Sequence, residues 1–246
     1  MQGRHLTIPS PELGRPVHLW TYGWFGQPIV VMPSAAGMAH EWQSQGMIDA
    51  LEPLLRAGKI KLYCVESNVA EAWTRRETEP EWRLAQHARY ERFVVETLVP
   101  WVRADCRSPH HPLAIAGTSL GGMYAALFAL KNPEIFRRAF CFSGRYDARQ
   151  FTDGYDSLGV YLNNPLAFVP NLHGEQLDRV RANTHLTLVC GQGAYEEGCI
   201  EETIALGQVL RAKGIPSETD IWGRDSAHQW PWWRTQATQH FGRIYG

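Results

Sequence analysis

The stretch Leu113-Ala-Ile-Ala-Gly117-Thr-Ser119-Leu-Gly121-Gly122-Met-Tyr-Ala-Ala-Leu-Phe constrains the chain more than any other. It reads as a short buried strand, a sharp glycine-flanked turn with serine at its apex, and a helix. Small residues two before and two after the serine are required because the turn is strained and the strand packs closely on the outgoing helix, which leaves the hydroxyl exposed. This nucleophile elbow implies acyl transfer through Ser119.

A serine hydroxyl is a poor nucleophile near neutral pH. It needs a histidine to take its proton and a carboxylate to fix the histidine tautomer. Where a serine sits on such an elbow, the chain order is serine, acid, histidine. Of the ten histidines, only His185, His228 and His240 follow the elbow by more than one further strand. His185 opens a strand, and His240 falls within the last helix, where a surface role is expected. His228, in Gly223-Arg-Asp-Ser-Ala-His-Gln-Trp-Pro-Trp-Trp, lies in a loop from which an imidazole can reach the sheet's rim. The acid is expected in the preceding loop, Cys190-Gly-Gln-Gly-Ala-Tyr-Glu196-Glu197. Glu196 is preferred because a short glycine turn leaves it near the strand end, whereas Glu197 turns outward to begin a helix. Asp225 is kept in reserve, since a loop turn explains it equally well. The anionic tetrahedral intermediate needs two donors. One is the Leu120 N–H, and the other is assigned to Ala35 in the small-residue loop Pro33-Ser-Ala-Ala-Gly-Met38 that follows an apolar strand.

Around these residues, strand and helix patterns alternate. Three short strands, His5 to Ile8, Val17 to Tyr22 and Pro28 to Met32, read as an antiparallel entry to a sheet. A helix then ends near Gly58, a strand covers Lys61 to Glu66, and a long helix runs from Glu81 to Ala104 with Trp82, Leu84, Ala88, Phe93, Val94, Leu98 and Trp101 as a core-facing stripe. Beyond the elbow helix, which stops near Asn132-Pro133, strands at Ala139 to Ser143, Leu186 to Cys190 and Glu218 to Trp222 alternate with helices at Glu201 to Lys213 and Pro231 to Arg243. The pattern predicts an α/β fold, a mostly parallel central sheet with helices on both faces and functional groups at the carboxyl ends of its strands. A single domain spanning 1–246 is expected, with the Asp-, Gly-, Asn- and Pro-rich segment 146–173 as a small cap. Tyr146 and Asp147 could line the pocket, although Asp147 could equally cap a helix. Trp24, Trp230, Trp232 and Trp233 are placed where they could border it.

Composition narrows the remaining classes. A formal net charge of −1, from 24 basic and 25 acidic residues, provides no basic face for phosphate backbones, so nucleic acid is not an expected partner. No apolar run approaches the length of a membrane span, and the first residues lack the apolar core of a secretion signal. A soluble, cytoplasmic chain with no membrane partner is expected. The cysteine count, five, is odd, and Cys64, Cys141 and Cys190 fall in apolar runs, consistent with reduced buried thiols. No Cys-x-x-Cys, His-Glu-x-x-His or calcium-loop pattern points to a metal, and none is expected.

Gly117-Thr-Ser-Leu-Gly-Gly-Met-Tyr-Ala with Asn132-Pro-Glu-Ile-Phe, Phe142-Ser-Gly-Arg-Tyr-Asp147, Gly191-Gln-Gly-Ala-Tyr-Glu196 and His228-Gln-Trp-Pro-Trp-Trp together resemble the α/β-hydrolase superfamily. Within it, the chain is similar to the esterase group related to esterase D, feruloyl esterases and mycolyltransferases. The resemblance implies a compact hydrolase without a large helical lid, a serine–acid–histidine triad and no cofactor. It supports Ser119, Glu196 and His228 by position. Where many such esterases carry His-Gly before the oxyanion loop, this chain has Pro33-Ser34. The expected activity is hydrolysis of a small or medium acyl ester through a covalent acyl-enzyme. Transfer to another alcohol, or an inert hydrolase-fold binding protein, are the alternatives.

Overall fold

The computed structural model describes residues 1–35 and 37–246. Its centre is an eight-stranded sheet of β1 (Arg4–Ile8), β2 (Val17–Tyr22), β3 (Gln27–Met32), β4 (Ile60–Val65), β5 (Leu113–Thr118), β6 (Phe136–Phe142), β7 (His185–Cys190) and β8 (Ser217–Ile221), in the order β1-β2-β4-β3-β5-β6-β7-β8. β1 and β2 are antiparallel, β2 is antiparallel to β4, and every pair from β4 to β8 is parallel. The antiparallel entry therefore comprises two strands rather than three. β3 crosses into the sheet and lies parallel between β4 and β5. Its burial pattern explains why: Pro28 to Met32 are all buried, as an interior strand covered on both faces must be.

Alternate residues of these strands feed two cores. Val30, Met32, Tyr63, Val65, Leu113 and Ile115 pack on one face with the elbow helix, Leu120–Lys131. Ile29, Val31, Leu62, Cys64, Ala114 and Ala116 pack on the other with Trp42, Met47, Leu51, Trp233 and Phe241. The elbow helix is buried from Leu120 through Leu130 because it lies between the sheet and a second helical layer. An apolar sequence all round is what that position requires.

The long helix departs from its expected form. It is α-helical over Pro80–Arg92, π-helical over Phe93–Leu98 and α-helical again over Val99–Asp105. Pro100 offers no N–H and its ring crowds the carbonyl one turn back, which the wider turn accommodates. The buried face is Arg83, His87, Tyr90, Phe93, Val94 and Leu98. Trp82 is exposed and carries the Arg75 guanidinium 5.1 Å from its ring centroid. A stripe drawn from apolar residues alone missed three polar side chains whose stems and rings are buried.

Segment 146–173 folds as a 3-10 turn at Ala148–Phe151, short helices at Leu158–Leu162 and Pro165–Phe168, and a further turn at Val169–Asn171. Val160, Phe168, Val169 and Leu172 join the core on the elbow-helix face. No helix is long and apolar enough to cross a membrane among the described residues.

The elbow depends on close backbone approach. A Cβ on Gly117 would collide with the Gly121 carbonyl, and one on Gly121 with the carbonyls of Met32 and Pro33 at the end of β3. Gly117→Ala should therefore lower stability by about 2 kcal/mol, as overpacking without room to relax does. Urea denaturation checks this, and an unchanged midpoint would show that the elbow can yield.

Candidate active site

Ser119 sits between β5 and the elbow helix at φ 55° and ψ −123°, a conformation L residues rarely adopt. Its N–H is held by the Phe142 carbonyl at 2.8 Å. The strain is shared by its surroundings. Ala35, Ser143 and Tyr195, in the loops leaving β3, β6 and β7, also have positive φ. Four of the six non-glycine residues with positive φ among the described residues thus lie at the carboxyl edge of the sheet, where backbone strain commonly accompanies function, the other two being Arg107 and Asp153.

Glu196 is 1% exposed and fixed from several sides. Ser143 Oγ donates to its Oε1 at 2.6 Å, and the Gly191 N–H reaches the same oxygen at 3.4 Å. Cys190 Sγ lies 3.4 Å from Oε2. Ser143 Oγ in turn accepts from Trp233 Nε1 at 3.0 Å, which links the carboxylate to the last helix, Trp230–Tyr245. Such convergence compensates the cost of burying a carboxylate.

The loops after β7 and β8 are laced together. Gly193 N–H donates to the Ser226 carbonyl at 2.8 Å and His228 N–H to the Ala194 carbonyl at 2.9 Å. A side chain on Gly191 would run into the Ser226 carbonyl, so glycine is what lets the loops meet. The result brings His228 Nδ1 to 3.0 Å from Glu196 Oε2 and His228 Nε2 to 3.0 Å from Ser119 Oγ. A carboxylate only accepts, so Nδ1 carries the proton and Nε2 is left to accept from the serine hydroxyl. The Trp233 ring meets the imidazole edge-on, with centroids 4.8 Å apart.

Glu197 and Asp225 are both exposed and stand outside this chain of hydrogen bonds. His240, expected at the surface, is 1% exposed and bonds Asp220 Oδ2 at 3.0 Å through Nε2. His185 lies beside Arg138 at the start of β7. Tyr146 is fully buried and Asp147 accepts from the Arg149 N–H at the start of the 3-10 turn, so neither lines the cleft.

The Leu120 N–H heads its helix, where no carbonyl of the preceding turn is available to accept it. Ala35 is exposed in the loop after β3 and borders the cleft with Ser119 and His228. That loop is braced by a residue the sequence reading did not find. The Glu41 carboxylate accepts from Ser34 N–H at 2.7 Å and from Ser34 Oγ at 2.6 Å. Burial raises the Glu41 pKa, and these two bonds from Ser34 oppose the rise. A carboxylate seven residues after Ser34 and three past the end of the small-residue loop was the available signal.

The cleft encloses about 650 Å³ and is lined by Ser34, Ala35, Gln45, Ser119 and His228 together with Trp230, Trp233 and Arg234. No residue of 146–173 lines it. Trp24 borders instead a larger depression of about 820 Å³, formed with Phe25, Lys59 and Arg107 at the amino ends of the strands. That depression lies at the opposite edge of the sheet from Ser119. Trp232 turns its ring edge-on to Trp222 and stands outside the cleft.

All five cysteines are free. Cys199 begins the helix Cys199–Ala212 with its Sγ 3.8 Å from His228 Nδ1. Its pKa is pushed up to about 12, first by burial and then by the nearby Glu196 charge.

This architecture is that of the α/β-hydrolases. The sequence profile of the family described as "Putative esterase" matches residues 64–244, and the chain belongs to this esterase family. No curated protein matches the sequence. Among solved structures the chain is similar to a ferulic acid esterase, with a TM-score of 0.76 and 16% identity over 99% of this chain and 97% of that one. It is similar to Mycobacterium tuberculosis MPT51 (FbpC1), with a TM-score of 0.76 and 17% identity over 100% of this chain and 98% of that one. It is also similar to Staphylococcus aureus FphF, described as a fluorophosphonate-binding serine hydrolase, with a TM-score of 0.70 and 14% identity over the whole of both chains.

Ser143→Ala should leave Trp233 Nε1 without a partner and Glu196 Oε1 with only the Gly191 N–H at 3.4 Å in a buried setting. A loss of about 1–3 kcal/mol follows from the cost of such unsatisfied groups. Chemical denaturation of the variant measures it, and a neutral result would mean that water replaces the hydroxyl.

Proposed function

We propose that the chain hydrolyses a carboxylic ester of small or medium acyl size through a covalent intermediate on Ser119. The unbroken sequence of hydrogen bonds Glu196–His228–Ser119, opening into the cleft, carries this reading. Ser119 Oγ attacks the ester carbonyl while His228 Nε2 takes its proton, and the buried Glu196 carboxylate steadies the imidazolium that forms. His228 then delivers the proton to the departing alcohol. Water, activated by the same imidazole, attacks the acyl carbon and releases the acid with Ser119 restored.

The oxyanion of each tetrahedral intermediate is assigned to the Leu120 and Ala35 N–H groups, which act most strongly where charge develops. Glu41 is a positioning residue for the second of these, through Ser34. Trp230 and Trp233 give the cleft an aromatic wall suited to the apolar part of an ester. The chemistry requires no cofactor.

A fluorophosphonate probe tests the reading, because it reacts with an activated serine. Labelling of the purified chain should vanish in Ser119→Ala, and well-folded protein that takes no label would remove the proposal. Ser119→Ala and His228→Ala should each lower kcat by at least about a thousandfold, the scale seen when members of such a unit are removed. Glu196→Gln should cost about a hundredfold or more and Glu197→Gln less than about threefold, since only the former bonds the imidazole. Equal losses at the two glutamates would refute the choice of acid. Glu41→Gln should lower kcat about tenfold with little change in KM, measured on an activated acyl ester, because an oxyanion donor acts in the transition state. A loss confined to KM would place Glu41 in ground-state binding instead.

A further inference from the structure

Among the described residues, Cys199 is the side chain hydrogen-bonded to the His228 imidazole that ester hydrolysis leaves without a task. It is 4% exposed, and its Sγ lies 3.8 Å from the same Nδ1 that reaches Glu196 Oε2 at 3.0 Å. One donor atom from each of Glu196, Cys199 and His228 falls within 4.8 Å of the others, and among the described residues no other histidine, cysteine and carboxylate side chains converge in this way. A tetrahedral zinc ion with bonds of about 2.0–2.3 Å to nitrogen, oxygen and sulfur holds its donors about 3.3–3.6 Å apart. The observed 3.0 and 3.8 Å bracket that spacing. A shift of a few tenths of an ångström suffices at these two edges, and the third, Cys199 to Glu196, lies within 4.8 Å and closes by up to about 1.3 Å when an ion draws the donors together.

We infer that Glu196, Cys199 and His228 form a binding site for a borderline-soft divalent cation of the zinc class, and that filling it silences Ser119. The silencing rests on the reading of His228 as the proton acceptor of Ser119. The donor set selects the ion. Thiolate and imidazole favour zinc and its neighbours, whereas magnesium and calcium require oxygen ligands. The donors are also well anchored, since Ser143 and Gly191 hold the other carboxylate oxygen and Cys199 is fixed at the head of a fourteen-residue helix.

Binding explains inhibition through the tautomer. The Cys199 S–H bond breaks, a metal–sulfur bond forms, and that proton leaves to solvent. Nδ1 gives up its proton and takes the metal, while Nε2 gains a proton, so the imidazole remains neutral. One proton is released per ion and no electron moves. A ring protonated at Nε2 donates towards Ser119 Oγ instead of accepting from it. The serine then has no base, although every side chain remains in place.

Cobalt(II) is the probe for the site, because a thiolate–cobalt bond absorbs in the near ultraviolet and reports sulfur ligation without any turnover. The purified full chain and Ser119→Ala should both show this band. Cys199→Ser and Cys199→Ala should lose it, while Cys106→Ser, which removes a cysteine from a different part of the fold, should keep it. Chelator-buffered Zn2+ should suppress fluorophosphonate labelling at least about tenfold, reversibly with EDTA. The Cys199 variants, each compared with its own ion-free rate, should need at least about tenfold more Zn2+, the order expected for losing a ligand-shell contribution. No thiolate band in folded protein at saturating Co2+ would overturn the site, as would a band or inhibition that persists in Cys199→Ser. A Cys199-dependent band in protein that turns over no ester would remove the hydrolase reading and leave the cation site standing.

Discussion

The Glu196 carboxylate is the point at which this molecule's site is held together. It lies almost entirely out of water, and an acid in that position is costly unless its oxygens are met by donors. Those donors come from separate parts of the chain: Ser143 after β6, Gly191 at the end of β7 and His228 after β8. Ser143 passes the connection on to Trp233 and so to the last helix. Loops that would otherwise move independently are thereby tied to one buried charge. Such a network is tolerant of little, because in a low-dielectric setting each lost partner leaves another group unpaired.

The parallel sheet supplies the frame on which this can happen. Strands β3, β5, β6, β7 and β8 end at one edge, and the functional loops leave from those ends. Two apolar cores, one on each face, fix the strands, so that strained backbone at Ala35, Ser119, Ser143 and Tyr195 can be held rather than relaxed. Each such residue costs of order 1–3 kcal/mol unless its surroundings compensate. At Ser119 the compensation is visible in the Phe142 carbonyl that holds its N–H and in the glycine contacts on either side.

Much of the fold was legible because local periodicity reflects burial directly. Each strand from Val17 onward lies within a residue or two, and for β6 three residues, of its expected bounds, and the elbow helix ends at Lys131, just before Asn132-Pro133. The readings that failed did so where a side chain's fate is set by neighbours distant in sequence. Short strands look alike until their partners are known, so β3 reads in sequence as part of an antiparallel entry. A polar residue in a terminal helix is ordinarily exposed, so His240 reads as a surface residue, but Asp220 on β8 gives its buried ring a partner. Trp24 reads in sequence as a residue that could border the pocket, whereas the β2–β3 turn carries it to the other edge of the sheet.

By itself the sequence determined the strand–turn–helix around Ser119, since only small residues satisfy the backbone contacts of that turn, and with it the alternating α/β order. It also narrowed the acid and the histidine to a few residues in two loops. Only the tertiary structure decided that Glu196 is buried against His228 while Glu197 and Asp225 face solvent, that Glu41 braces the loop of Ala35, and that Cys199 stands beside the imidazole. The physical reason is that hydrogen-bonded and ligand geometry depends on distances between residues up to 109 positions apart, and such distances exist only once the sheet has brought the ends of its strands together.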